Sequence, residues 1–183
     1  LIINKKYGNV IKIECEFGFP HLASDNIRYQ KKLCGGATFD VGAYTLSSVR
    51  QLLGHKTKVQ WAKILTFSEF EVDTSGWASL TAGDAVANCS WNFGGSYSNK
   101  IRVWCENGHI SCDRAYSKAP NFESNIVVEH NGVTVETLNT GKDNHFINML
   151  THFSKILVSS NSTIEHKELE EQSKLVNSVF SFH

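Results

Sequence analysis

In the stretch "KKLCGGATFDVGAYTLSSVRQLLG", Lys31 to Gly54, a glycine pair precedes a helical apolar pattern. The first turn of that pattern carries Asp40, and Tyr44 follows one turn later. Four residues apart on a helix, a carboxylate and a phenol share one face. Two chemistries fit the pair. An aspartate at the positive end of a helix accepts from free backbone N–H groups, and the tyrosine is then a half-buried aromatic. Alternatively, the two form a proton-transfer pair beside a bound polyol or ketone. A tyrosine can do this when a nearby cation draws its titration down from about 10. This segment offers no obvious lysine for that role apart from Lys31 and Lys32 on the loop; separately, Arg28 in "DNIRY" is the loop cation of most interest. A bidentate guanidinium beside a helix N-terminus suits an anionic or hydroxylated ligand. A surface salt bridge with Asp25 is its plain alternative.

Other chemistries find no footing. No G-x-G-x-x-G follows a strand, and the glycine pairs Gly35-Gly36 and Gly94-Gly95 lack that spacing. There is no Walker loop and no G-x-S-x-G elbow. The histidines at 21, 55, 109, 130, 145, 152, 166 and 183 are scattered. His145 and His152 share a helix face but lack a third ligand, so no metal site is expected. Five cysteines, an odd number without C-x-x-C spacing, predict small apolar residues of strands in a reducing compartment. The triplets at Asn88 and Asn161 carry no weight as glycosylation sites without a secretory signal.

Lys+Arg and Asp+Glu both number 18, so net charge is zero and a nucleic-acid partner is disfavoured. No apolar run approaches the ~20 residues of a membrane span. "LIINKKYGNVIKIECEFGFP" lacks the plan of a signal peptide, and a cytoplasmic location is expected. At 183 residues, 41% apolar and 20% charged, the chain has the composition of one soluble domain with a real core. It starts at Leu1, which fits a piece of a longer chain.

The elements that must position Asp40 and Tyr44 can be read from periodicity. Alternation predicts a strand over Val10–Phe17, then a loop, then a helix carrying Phe39, Ala43, Leu46, Val49, Leu52 and Leu53 that stops at Gly54. Strands follow at 59–67, 76–82, 85–93, 99–107, 108–116, 124–131 and 132–139. Gly83-Asp84, Asn107-Gly108 and Asn131-Gly132 mark hairpins, hence an antiparallel meander. The end is helical: Phe146, Met149, Leu150, Phe153, Ile156 and Leu157 form one stripe, and Leu169, Leu175, Val176 and Val179 another. The expected class is α+β, a large, mainly antiparallel open sheet with helices packed on one face. Trp77, Trp91, Trp104, Val103 and Val127 are expected on the other face, which a subunit partner would cover.

With these residues in view, the sequence resembles the C-terminal half of the glucose–fructose oxidoreductase / inositol dehydrogenase (Gfo/Idh/MocA) family. "LIINKKYGNVIKIECEFGFP" is similar to its domain junction. "CGGATFDVGAYTLSSVRQLLG" resembles the family segment of Gly-Gly turn, Asp, Gly, then His or Tyr, and a leucine-rich helix. "FEVDTSGWASLTAGDAVANCSWNF" resembles the following meander, and "DNHFINMLTHFSKIL" a late helix. The resemblance implies oxidation or reduction of a sugar, nucleotide sugar or polyol with NAD or NADP. It also implies homodimers or homotetramers formed through the open sheet face. Asp40 and Tyr44 match the family's substrate-contacting and proton-transferring pair, with Tyr44 where many members have histidine. "FGFPHLASDNIRY" is most similar to members acting on nucleotide-linked hexoses, which marks Phe19, Asn26 and Arg28 as substrate-binding candidates. The family's dinucleotide fold and catalytic lysine belong to an N-terminal half that this chain lacks, so the chain alone is expected to hold no cofactor and to be inactive. The rival expectation is a non-catalytic binding or assembly module that kept the fold, with Asp40 and Tyr44 as cap and core.

Overall fold

The computed structural model describes residues 1–159 and 162–182; Asn161, which heads the second glycosylation-type triplet, and His183 lie outside the described residues. Eight strands form one sheet: β1 (Val10–Phe19), β2 (Lys58–Leu65), β3 (Ser75–Ala82), β4 (Ala85–Phe93), β5 (Ser98–Cys105), β6 (Gly108–Asp113), β7 (Asn125–His130) and β8 (Val133–Asn139). Three helices, α1 (Ala43–Leu53), α2 (His145–Ser159) and α3 (Thr163–Val179), complete an α+β fold. No described helix is long and apolar enough to cross a membrane.

The strand order is β2-β3-β4-β1-β5-β6-β7-β8. The sheet departs from a pure meander because β1 and β4 pair in parallel, Ile13 opposite Ala87 and Cys15 opposite Cys89. All other pairings are antiparallel. The chain leaves β1 at the sheet centre, crosses one face as α1, and returns from the edge through β2 and β3 to β4. Such a nonlocal pairing carries no turn signal in the sequence.

Small residues make the crossing possible. Cys15, Ala62, Ala78, Ala87 and Cys89 are buried in the core. Short side chains on the sheet let the Leu46–Val49 face of α1 come close, and those two are fully buried. α1 ends where expected: Gly54 adopts φ 88° and its N–H donates to the Arg50 carbonyl at 2.7 Å. α3 packs against α1 and β2 and buries Leu175, Val176 and Val179. Buried Arg50 links the two helices, donating to Glu168 at 2.6 Å and Gln172 at 3.1 Å.

Three expectations need correction. Trp91 and Val103 lie buried on the helix side, at 2% and 1% exposure, and not on the open face. Each alternates in step with core residues of its own strand, Ala87 and Cys89 for Trp91 and Cys105 for Val103. α2 has the predicted apolar stripe, but none of its residues is buried, so it is not one of the helices packed on the sheet. Finally, β6 stops at Asp113 and does not reach Tyr116, because Arg114 turns into the left-handed region at φ 56°.

Candidate active site

The residues singled out in the sequence meet where β1 and β4 end and α1 begins. The entry to α1 is irregular: Thr38–Gly42 form one π turn, closed by the Gly42 N–H on the Ala37 carbonyl at 2.9 Å, before regular helix starts at Ala43. Such wide turns often mark functional sites.

Asp40 lies inside the π turn and does not cap it. The cap comes from Asp73, in the connection between β2 and β3. Its Oδ2 accepts from both the Thr38 N–H and the Thr38 hydroxyl at 2.7 Å, and its carbonyl accepts from the Ala37 N–H at 2.8 Å. Burial pushes the Asp73 carboxyl up, while the Thr38 bonds pull it back down. Gly36 is required beside it: φ is 124°, and a Cβ there would stand 2.3 Å from Asp73 Oδ1. The indole of Trp91 lies under the same turn, its N–H donating to Thr38 Oγ1 at 3.0 Å. A Cβ at Gly42 would come within 3.0 Å of that ring. The glycines of the Gly-Gly/Asp/Gly pattern are thus explained by close approach, Gly36 to Asp73, Gly42 to Trp91, and Gly35 to the Arg28 carbonyl, 2.5 Å from where its Cβ would stand.

Freed from capping, Asp40 pairs with Arg28, whose Nε donates to Asp40 Oδ2 at 2.5 Å. This replaces the Arg28–Asp25 bridge considered from the sequence. Both partners are partly exposed, so the pair contributes little stability. The two terminal nitrogens of Arg28 have no hydrogen-bond partner among the described residues, and they remain available to a ligand. The guanidinium also stands 5.9 Å from the centre of the Phe19 ring, which stacks on Phe93 at 4.8 Å. Asn26 acts on the loop: its Oδ1 accepts from the Arg28 N–H at 3.1 Å and caps the short turn Ile27–Tyr29. Tyr29 anchors that loop, stacked on Phe70 at 4.8 Å, its hydroxyl accepting from the Leu22 N–H at 3.1 Å.

Tyr44 is 50% exposed. Its ring stands edge-on to Phe17, centroids 5.5 Å apart, and to Tyr116 at 6.2 Å, while Phe17 and Tyr116 stack at 5.1 Å. Its hydroxyl has no hydrogen-bond partner among the described residues, so a phenol is held by its ring and open at its tip. Tyr116 contrasts with it. Burial, and then the neighbouring Cys15 thiol, push the Tyr116 phenol far above the ordinary range. It keeps its proton at any physiological pH, and of the two tyrosines only Tyr44 presents a free hydroxyl. Phe17, Asp73 and Tyr116 escaped the sequence reading. In the sequence Phe17 marks only the end of a strand, and nothing local ties Asp73 or Tyr116 to the helix start.

The GFO/IDH/MocA C-terminal domain model matches residues 1–111, which include Arg28, Asp40 and Tyr44. The chain belongs to this family. A dTDP-3,4-didehydro-2,6-dideoxy-alpha-D-glucose 3-reductase of Saccharopolyspora spinosa is 31% identical over 137 residues, covering 74% of this chain and 41% of that protein. The D-xylose 1-dehydrogenase (NADP(+)) 2 of Haloferax volcanii is 28% identical over 141 residues, 74% of this chain and 42% of that protein. Among solved structures, KijD10, a 3-ketoreductase from Actinomadura kijaniata in complex with NADP and TDP-benzene, superposes with a TM-score of 0.92. Its identity is 20%, over 98% of this chain and 56% of that one. The chain therefore spans about half the length of the relatives it matches.

A dinucleotide is bound in such folds at a Gly-rich turn between a parallel strand and a helix. Among the described residues, neither Gly35-Gly36 between β1 and α1 nor Gly94-Gly95 after β4 has the G-x-G-x-x-G spacing of such a turn. The one parallel pair among the described residues is β1–β4, and Gly94-Gly95 leads from β4 straight into β5. No group of three His, Cys, Asp or Glu among the described residues could hold a metal ion.

Proposed function

We propose that this chain is the substrate-binding half of an NAD- or NADP-dependent oxidoreductase acting on a sugar-type carbinol or ketone, most specifically a nucleotide-linked hexose. The observation that carries the reading is the open phenol of Tyr44 beside the Arg28–Asp40 pair, in a chain similar to nucleotide-sugar ketoreductases. The nicotinamide, which supplies or accepts the hydride at carbon, belongs to a nucleotide-binding domain outside this chain, so the chain alone is inactive. Tyr44 gives its proton to the carbonyl oxygen in reduction, or takes the hydroxyl proton in oxidation. Asp40 accepts from a neighbouring sugar hydroxyl, and Arg28 donates to an oxygen of the substrate while resting on Phe19.

The test is NADPH consumption by the full-length protein with dTDP-linked keto-hexoses against free aldoses. Contacts between charged groups and a diphosphate are each worth about 1.5–3 kcal/mol, so kcat/KM should favour the nucleotide-linked substrate by ~100-fold. Equal turnover of free sugars, or none with any sugar, contradicts the reading. The open sheet face, with Trp61, Trp77, Val86 and Trp104 exposed, is assigned in the same reading to a second copy of the chain. Sedimentation of the full-length protein as a monomer at micromolar concentration would remove that part.

A further inference from the structure

The turn after β6 holds two cations that the site described so far does not use. Arg114 adopts φ 56°, a conformation uncommon for any residue but glycine. It is held there by tertiary bonds: its N–H donates to the Asn99 carbonyl at 2.7 Å, and its carbonyl accepts from the Ser124 hydroxyl at 3.3 Å. The guanidinium lies 4.2 Å from the centre of the Tyr97 ring and 5.8 Å from that of Phe122. No carboxylate pairs with it among the described residues. Asp113, next in sequence, reaches Arg102 instead, at 3.5 Å, and Glu123 makes no ion pair among the described residues. Lys118, in the same turn, donates to the Thr140 hydroxyl at 3.2 Å and the Gly141 carbonyl at 3.4 Å and makes no ion pair among the described residues.

This turn is bolted to the candidate active site. Buried Asn99 donates from Nδ2 to the Tyr97 hydroxyl at 3.0 Å and to the Ser117 carbonyl at 3.1 Å, and its Oδ1 accepts from the Tyr116 N–H at 2.9 Å. Tyr116 is the residue whose ring flanks Tyr44. Arg114 and Tyr116 are two residues apart, so their Cα atoms are at most ~7 Å apart. An exposed guanidinium that is ordered in advance by two rings, and has no protein anion to neutralise it, is a receptor for an oxyanion.

We infer that Arg114, seated on Tyr97 and Phe122, is the receptor for the diphosphate of a nucleotide-linked sugar, with Lys118 adding positive charge. The inference rests on the function proposed above and names the part of that site that selects nucleotide-linked over free sugars. The geometry suits it: the sugar ring stands over Tyr44, and its diphosphate leaves along the β6–β7 turn.

The experiment is calorimetric titration of the full-length protein with thymidine 5′-diphosphate and with thymidine. Arg114→Met, which keeps an unbranched apolar stem and removes the guanidinium with its charge, should weaken diphosphate binding by ~10- to 100-fold. Thymidine binding and melting temperature should stay near the wild-type values. Arg114→Lys, which keeps charge but loses the planar fork, should fall between the two. Wild-type diphosphate affinity in Arg114→Met overturns the subsite and leaves the proposed function standing. Equal loss of diphosphate and thymidine in Arg114→Met, or Arg114→Lys no better than Arg114→Met, also overturns it. A wild-type protein that binds no thymidine diphosphate at millimolar concentration overturns the nucleotide-sugar reading, and the subsite with it.

Discussion

Removing only the Tyr44 hydroxyl, as Tyr44→Phe in the full-length protein, is expected to lower kcat by about 10²- to 10⁴-fold, the range of a positioned general acid or base. KM should change by no more than about threefold, because a group that acts on the proton in the transition state contributes little to ground-state binding. The substitution leaves the fold alone. The phenylalanine ring keeps both edge contacts, to Phe17 and to Tyr116, and the lost hydroxyl has no partner among the described residues. Nor can Tyr116 substitute, since burial and the Cys15 thiol hold its proton too tightly to cycle. Steady-state kinetics on the purified variant decide the matter. An unchanged kcat would return Tyr44 to the role of a surface aromatic at the start of α1.

Trp91→Ala should destabilise the protein by about 3–5 kcal/mol, as for other large aromatics removed from a core. For a chain of this size that is a fall of about 6–20 °C in melting temperature. The indole is 2% exposed and fills the space between the π turn and β3 that Gly42 and Gly76 leave open; a Cβ at Gly76 would come within 2.7 Å of it. Neither glycine can swell into the cavity, so little collapse relieves the loss. The substitution also strips the N–H bond from Thr38, which in turn binds Asp73. Trp91→Phe keeps much of the packing and loses the bond, and should fall by about 1–3 kcal/mol. Thermal unfolding followed by circular dichroism measures both. A loss below about 1 kcal/mol for Trp91→Ala would mean that the π turn is held by other contacts.

How far the sequence could be read depends on whether the signal is local. Helical spacing from Ala43 to Leu53 and the glycine stop at Gly54 are local properties, and both appear in the fold. The hairpins at Gly83 and Asn131-Gly132 likewise join β3 to β4 and β7 to β8. The parallel pairing of β1 with β4 joins segments separated by more than sixty positions and has no local mark. The same holds for the site. Asp40 and Tyr44 stand out because a spacing of four sits in one helical apolar pattern, although Asp40 lies in the π turn and Tyr44 in α1, and Arg28 stands out because it precedes them. That Asp40 turns to Arg28 follows from a distant residue, Asp73, taking the capping role. The placing of Trp91 on the open face was a misreading of a signal that was present, since Ala87, Cys89 and Trp91 alternate with Val86, Asn88 and Ser90. The α2 stripe was read correctly as a pattern. Helical spacing shows only that such a face exists, and among the described residues nothing buries it.

The central claim is that a sugar bound to a nucleotide lies against Tyr44. Fluorine NMR of the full-length protein labelled with 3-fluorotyrosine tests it most directly, with the Tyr44 signal assigned by its loss in Tyr44→Phe. Adding a dTDP-linked hexose should shift the Tyr44 signal. It should leave that of Tyr7, which is bonded to Glu136 at 2.6 Å near the chain start, in place. Saturable binding of the same ligand, seen by calorimetry, with a stationary Tyr44 signal would contradict the account.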